Sequence, residues 1–300
     1  MALFSEYTSD EFRLIWSQFE STLKTAKSRN LYRYYVNWIC DFCKKDFLDI
    51  DAKLAHKYFF SLEHADKKYS VKYLHSMLSA YISIANFIIL HRDVFEKKEY
   101  ENPFLSIVLG EYTDNICVSA IPTEKSIQKI LSASKKADTQ LYLIFALAFF
   151  CSLTVSEIIR LTFDDFIVDQ NNNIGLHISA RTNVEHDRYV KIPSMLFPEL
   201  NKLGMSAGTR KFFFVNSYGR PLQTRTVQKN VSAFMKTLGL PKPYTLQQIR
   251  NASVVYMRIG GATSSDVAKY TGVSERWMYR YDDVIDELIL APCDLISVTA

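Results

Sequence analysis

The chain has 300 residues, 48% of them hydrophobic, and a formal net charge of +4. That excludes a disordered or low-complexity chain and fits one large or two medium globular domains. The charge is uneven: residues 1–117 carry 15 basic and 16 acidic side chains, residues 118–300 carry 21 and 16. Five cysteines, an odd number, and a start (MALFSEYTSDEF) without a basic head or long apolar core point to a reducing cytoplasm. The longest apolar run, Leu141–Leu153, is too short to span a bilayer, so no membrane partner is expected.

In chain order, Ser9 and Asp10 offer an N-cap, and Phe12, Ile15, Trp16 and Phe19 follow at helical spacing. The periodicity predicts a second helix with Leu31, Tyr34, Tyr35, Trp38, Ile39 and Phe42 on one face. Cys40 and Cys43 form a lone C-x-x-C within it; with no second pair and no histidine at ligand spacing, both read as helix packing. A third helix is expected over about Asp51–His64, and a fourth from Ser70 with Val71, Leu74, Leu78, Ile82 and Ala85 inward. Lys67, Lys68, Lys72, Tyr73 and His75 gather at the start of that fourth helix as candidate phosphate or major-groove contacts. Pro103 stops the pattern.

These features give a helical domain over 1–112 and a linker over 113–122. A second domain is expected over 123–284, with a terminal tail or helix over 285–300. Thr123 caps the next helix, a strongly apolar helix covers Leu141–Cys151, and period-two segments at Ile174–Ile178 and Arg188–Ile192 predict antiparallel strands. Lys211–Asn216 reads as another strand. Beyond Gln223 the chain is helical, broken by Pro241-Lys242-Pro243 and by Gly260-Gly261. The fold class is mainly α (α+β), with a small antiparallel sheet in the second domain.

Between Glu199 and Asp266 the sequence holds ten Lys or Arg and no acid. Surfaces normally mix both signs, so a one-sign stretch this long points to a polyanion, and double-stranded DNA is the simplest one. A merely solvated basic face is the plainer alternative. Arg220, Arg225, Lys229, Lys242 and Arg250 are the DNA-contact candidates of this stretch. Arg225 and Lys229 lie one helical turn apart. The histidines His56, His64, His91, His177 and His186 lack ligand spacing, so neither metal nor cofactor is expected.

The order of elements resembles the tyrosine recombinase (phage integrase) family over nearly the whole chain. Ser70-Val71, Ser76 and Leu78 resemble that family's helical (SAM-like) core-binding domain, and Asn102-Pro103 its closing Asn-Pro. Leu153-Thr154-Val155-Ser156-Glu157-Ile158 is similar to the family's G-L-R-x-S-E-L, and Phe163-Asp164-Asp165-Phe166 to its W-x-D-I. Arg188–Pro193 resembles the end of its β-hairpin, Gln247–Arg250 its H-x-x-R, and Tyr270-Thr271-Gly272-Val273 its L-L-G-H. Tyr281 lies near the family's nucleophile, 31 residues after Arg250.

The resemblance implies attack of a tyrosine hydroxyl on a DNA phosphate braced by two arginines, whose planar forks match phosphate geometry. Here the first arginine position is Thr154, and the two histidine positions are Gln247 and Val273. Arg250 is retained, Arg181 and Lys191 are loose substitutes for the hairpin lysine, and Tyr279 competes with Tyr281 for the nucleophile position. Arg276 and Arg280 beside these tyrosines complete the candidate DNA contacts. Losing one charged donor typically costs about 10²–10³ in rate, and here proton-handling groups are lost with it.

The expectation is a sequence-specific double-stranded DNA-binding protein that has lost catalysis: a cytoplasmic, nucleoid-associated repressor of a prophage or mobile element. The alternative is a divergent active recombinase using Tyr281, with Arg160, Arg181 or Arg276 replacing the missing arginine. A third reading is a protein-interaction scaffold. A homo-oligomer formed through Asp282–Ala300 is a further expectation.

Overall fold

In the computed structural model of the chain, the helix starts follow from side-chain caps. Ser9, Thr25, Asp51, Ser70, Thr123, Asp138, Thr245 and Thr263 each accept a hydrogen bond from a backbone N–H in the first turn. That satisfies donors the helix leaves open. The described residues are 4–66, 68–168, 170, 173–179, 187–205 and 210–288. The chain divides into two compact units, Met1–Thr113 and Asp114–Ala300.

Among its described residues the first unit holds four α-helices: α1 (Asp10–Thr22), α2 (Ala26–Cys43), α3 (Ala52–Glu63) and α4 (Val71–Leu90). Phe12, Ile15, Trp16 and Phe19 are buried as their spacing requires, and so are Leu74, Leu78 and Ala85 of α4. Helix α2 departs from expectation. Its buried stripe is Arg33, Tyr35, Val36, Ile39 and Cys40, while Leu31, Tyr34 and Phe42 are 37%, 47% and 41% exposed. Two apolar stripes share the helical period in α2, and periodicity alone does not say which meets the core. The outer one forms an aromatic run instead, with Tyr34 and Trp38 rings 4.5 Å apart and Trp38 against Tyr69. Helix α4 is long and apolar enough to cross a bilayer by length and composition, yet eight of its residues are buried in the unit's core.

The second unit opens with α5 (Glu124–Ala137) and α6 (Thr139–Phe150), followed by the short α7 (Val155–Ile158). The sheet follows: β1 (Phe166–Val168), β2 (Ile174–Ile178) and β3 (Arg188–Lys191), antiparallel in the order β1-β2-β3. Leu176 pairs with Phe166 on one side and Val190 on the other. Next come α8 (Phe197–Met205), α9 (Thr224–Thr237), α10 (Leu246–Ile259) and α11 (Ser264–Thr271). A 3-10 segment (Glu275–Tyr281) leads into α12 (Asp282–Leu288). Helix α6 is buried continuously from Tyr142 to Ala148, the pattern of a central core helix.

Two expectations need correction. Lys211–Asn216 forms no strand; only the isolated bridges Thr162–Phe212 and Val215–Pro221 occur there. Its apolar residues Phe213 and Phe214 are nonetheless buried, so the hydrophobic signal marked core filling and gave no information on ladder pairing. The expected linker is bound to the second unit. Ile116 N–H donates to the Arg280 carbonyl at 2.9 Å, Asn115 donates to Asp283 at 2.6 Å, and Ile121 is buried with Val284 and Ile285.

Candidate nucleic-acid interface

Arg250 sits inside α10 and is 8% exposed. Its Nε donates to the Ser152 carbonyl at 2.7 Å and its Nη2 to the Thr271 carbonyl at 2.8 Å. Burial lowers its pKa, partly offset by the charge of Glu157. Ser152 adopts φ 50°, a left-handed conformation uncommon for a residue with a side chain. Nη1 of Arg250 makes no hydrogen bond among the described residues and is not among the sealed, unpaired atoms. It is the guanidinium nitrogen not committed to a carbonyl.

Thr154 is spoken for. It caps α7 in a reciprocal box with Glu157: the Glu157 N–H donates to Thr154 Oγ1, while Thr154 N and Oγ1 donate to Glu157 Oε2 at 2.8 and 2.9 Å. The other carboxylate oxygen, Oε1, accepts from Arg188 Nη1 at 2.7 Å. Burial pushes the Glu157 pKa up, but the Arg188 pair and the Thr154 donors outweigh it and hold the carboxyl below its ordinary value. Arg188 Nε donates to the Tyr270 carbonyl at 3.2 Å. Arg188 and Arg250 thus hold successive carbonyls, Tyr270 and Thr271, at the C-terminal end of α11, where cations are favoured.

Arg188 was missed in the sequence, although a signal existed. It shares its strand face with Val190 and Ile192, both fully buried, and a cation in phase with buried apolar residues must find a partner.

Tyr281 is 4% exposed and its hydroxyl donates to Asn251 Oδ1 at 3.3 Å. Burial raises its pKa, opposed by Arg250 and Arg280. It packs in a core with Val254, Val255 and Met278. Tyr279 is the exposed one, at 49%, near Trp277. Gln247 is exposed and donates to Asn251 at 2.9 Å; Val273 packs against the Tyr281 core.

The remaining candidates separate by exposure. Arg225 and Lys229 on α9, and also Arg220, Lys191 and Arg276, are exposed cations. Arg276 lies over the Trp277 ring at 5.5 Å. Two candidates are already committed to backbone carbonyls: Lys242 to Ser119 and Arg280 to Asp114 at 2.8 Å. In the first unit Lys68 and Lys72 are exposed. His75 is occupied instead, with Nε2 2.9 Å from the Gly110 carbonyl, and Tyr73 is half-buried between Tyr35 and Tyr69. Lys67, Arg181 and residues 289–300, which include most of the expected oligomerising tail, lie outside the described residues.

The model of the phage integrase family matches residues 122–280, more than half of the chain, and the chain belongs to that family. Solved structures share its fold at low identity. A lambda integrase dimer bound to a COC' core site superposes at TM-score 0.69, with 15% identity over 96% of this chain and 80% of that one. XerH recombinase in a post-cleavage complex with palindromic difH gives 0.69, with 13% identity over 95% and 89%. The Tn1549 transposon integrase in complex with transposon right end DNA gives 0.68, with 14% identity over 95% and 96%. No curated protein sequence matches.

Proposed function

We propose that this chain is a sequence-specific duplex-DNA-binding regulator that uses an integrase fold without strand-transfer chemistry, and that it represses a prophage or mobile element by occluding a promoter. The observation that carries the loss of catalysis is Thr154. Where the family resemblance implies a guanidinium, a neutral side chain spends its hydroxyl and amide on closing the α7 turn with Glu157. Arg250 in turn gives two of its nitrogens to carbonyls, leaving one edge for a phosphate. Gln247 and Val273 cannot exchange a proton at neutral pH.

DNA binding is supported by the acid-free basic stretch, by the exposed Arg225 and Lys229 on α9, and by the DNA complexes formed by structural relatives. An active recombinase is the second reading. It is favoured by one observation: the Tyr281 hydroxyl meets Asn251, the residue next to Arg250, and feels the Arg250 charge.

Mapping bound sites across the source genome, followed by binding to the best site at graded salt, tests the proposal. Tight, salt-dependent, sequence-specific binding is expected. Failure to bind any duplex at low salt rejects it.

A further inference from the structure

The Glu157 carboxylate pairs with one guanidinium and acts electrostatically on a second. Its Oε1 is paired with Arg188 at 2.7 Å, and its charge also acts on Arg250. The two arginines are neighbours, since each holds one of two successive carbonyls, Tyr270 and Thr271. Arg250 also reaches Ser152, two residues before the Thr154 amide that holds Glu157 Oε2. A buried carboxylate without a cation is costly and takes whichever cation is within reach. Remove Arg188, and that cation is Arg250, whose uncommitted nitrogen is the one left for an anion.

We infer that Arg188 is a positioning residue: it takes up the Glu157 charge and pins the end of α11, so that the uncommitted nitrogen of Arg250 stays free for a DNA phosphate. Arg188 does not itself touch the phosphate, because its remaining nitrogen, Nη2, is sealed and has no hydrogen-bond partner among the described residues. Gly272 reports how tightly the guanidinium is seated: a Cβ there would lie 2.7 Å from Arg188 Nη1. The inference rests on the DNA-binding reading above and adds the device that keeps the motif arginine available.

The test uses the full chain and a random-sequence duplex, because holding a phosphate does not depend on base sequence. The readout is the slope of log affinity against log salt, which falls by about 0.9 for each phosphate no longer neutralised. R188Q is expected to flatten the slope by about 0.9, as R250Q does. R188K, which keeps a cation beside Glu157, is expected to keep the wild-type slope. Adding E157Q to R188Q removes the charge that captures Arg250 and is expected to restore the slope, which counts neutralised phosphates and does not report stability.

If R188Q does not fold, the comparison moves to E157Q/R188Q with and without R250Q, where adding R250Q must reduce the slope by about 0.9. An unchanged slope in R188Q, or a double variant no better than R188Q, overturns the inference while leaving DNA binding intact. A wild-type chain that binds no duplex overturns both.

Discussion

Arg250 is held by geometry that its neighbours cannot reproduce. Its planar fork reaches two carbonyls on different segments, Ser152 and Thr271, and no shorter or more compact donor spans both. R250A leaves both acceptors buried and unpaired, at about 1–3 kcal/mol each, so urea unfolding is expected to show a loss of about 3 kcal/mol. Glu157 makes a pH-dependent contribution. Its folded pKa lies below the ordinary glutamate value of 4.5, so the stabilisation is full above about 4.5 and is lost as pH falls through the lower folded value. Melting curves between about pH 6 and about pH 3 are expected to show a steeper acid decline in wild type than in E157Q. Among the described residues Tyr281 makes one long hydrogen bond. Y281F is therefore expected to cost under about 1 kcal/mol and to leave DNA affinity unchanged; loss of regulation in that variant counts against the regulator reading.

Among the elements, α9 carries the plainest candidate surface for the proposed DNA contact: Arg225 and Lys229 are exposed one turn apart, while Val227, Val231 and Met235 anchor the opposite side. R225A/K229A is expected to leave the melting temperature unchanged and to flatten the salt dependence of duplex binding by about 1.8, two phosphates at about 0.9 each. An unchanged slope makes this face ordinary solvated surface. Most helices were legible in the sequence because cap residues and apolar spacing agree, as at Ser70 with Leu74 and Leu78. The orientation of α2 was not, because Tyr34–Trp38–Phe42 and Tyr35–Ile39 follow the same period and only packing chooses between them. The strand expected at Lys211–Asn216 failed for a related reason, since burial of Phe213 and Phe214 needs no ladder partner. Of the candidate site, Arg250, Thr154 and Tyr281 were visible as motif positions. The Glu157–Arg188 pair was not: its members are 31 residues apart in sequence, and the ion pair exists only once β3 folds back beside α7.

Taken over the whole molecule, the proposed reading separates charge from chemistry. The second unit holds the ten-cation, acid-free stretch, yet the place where a second phosphate-bracing arginine is implied closes a helix turn. Affinity for a polyanion survives such a change, because it is the sum of many exposed charges. Transition-state stabilisation does not, because it depends on a few donors held at one phosphate. The most direct measurement is covalent trapping on a nicked duplex carrying the best mapped site, read after full denaturation of the protein. The expected result is salt-sensitive binding before denaturation and no protein attached to DNA afterwards. A denaturant-resistant adduct that disappears in Y281F would contradict the loss of catalysis and make this chain a working recombinase.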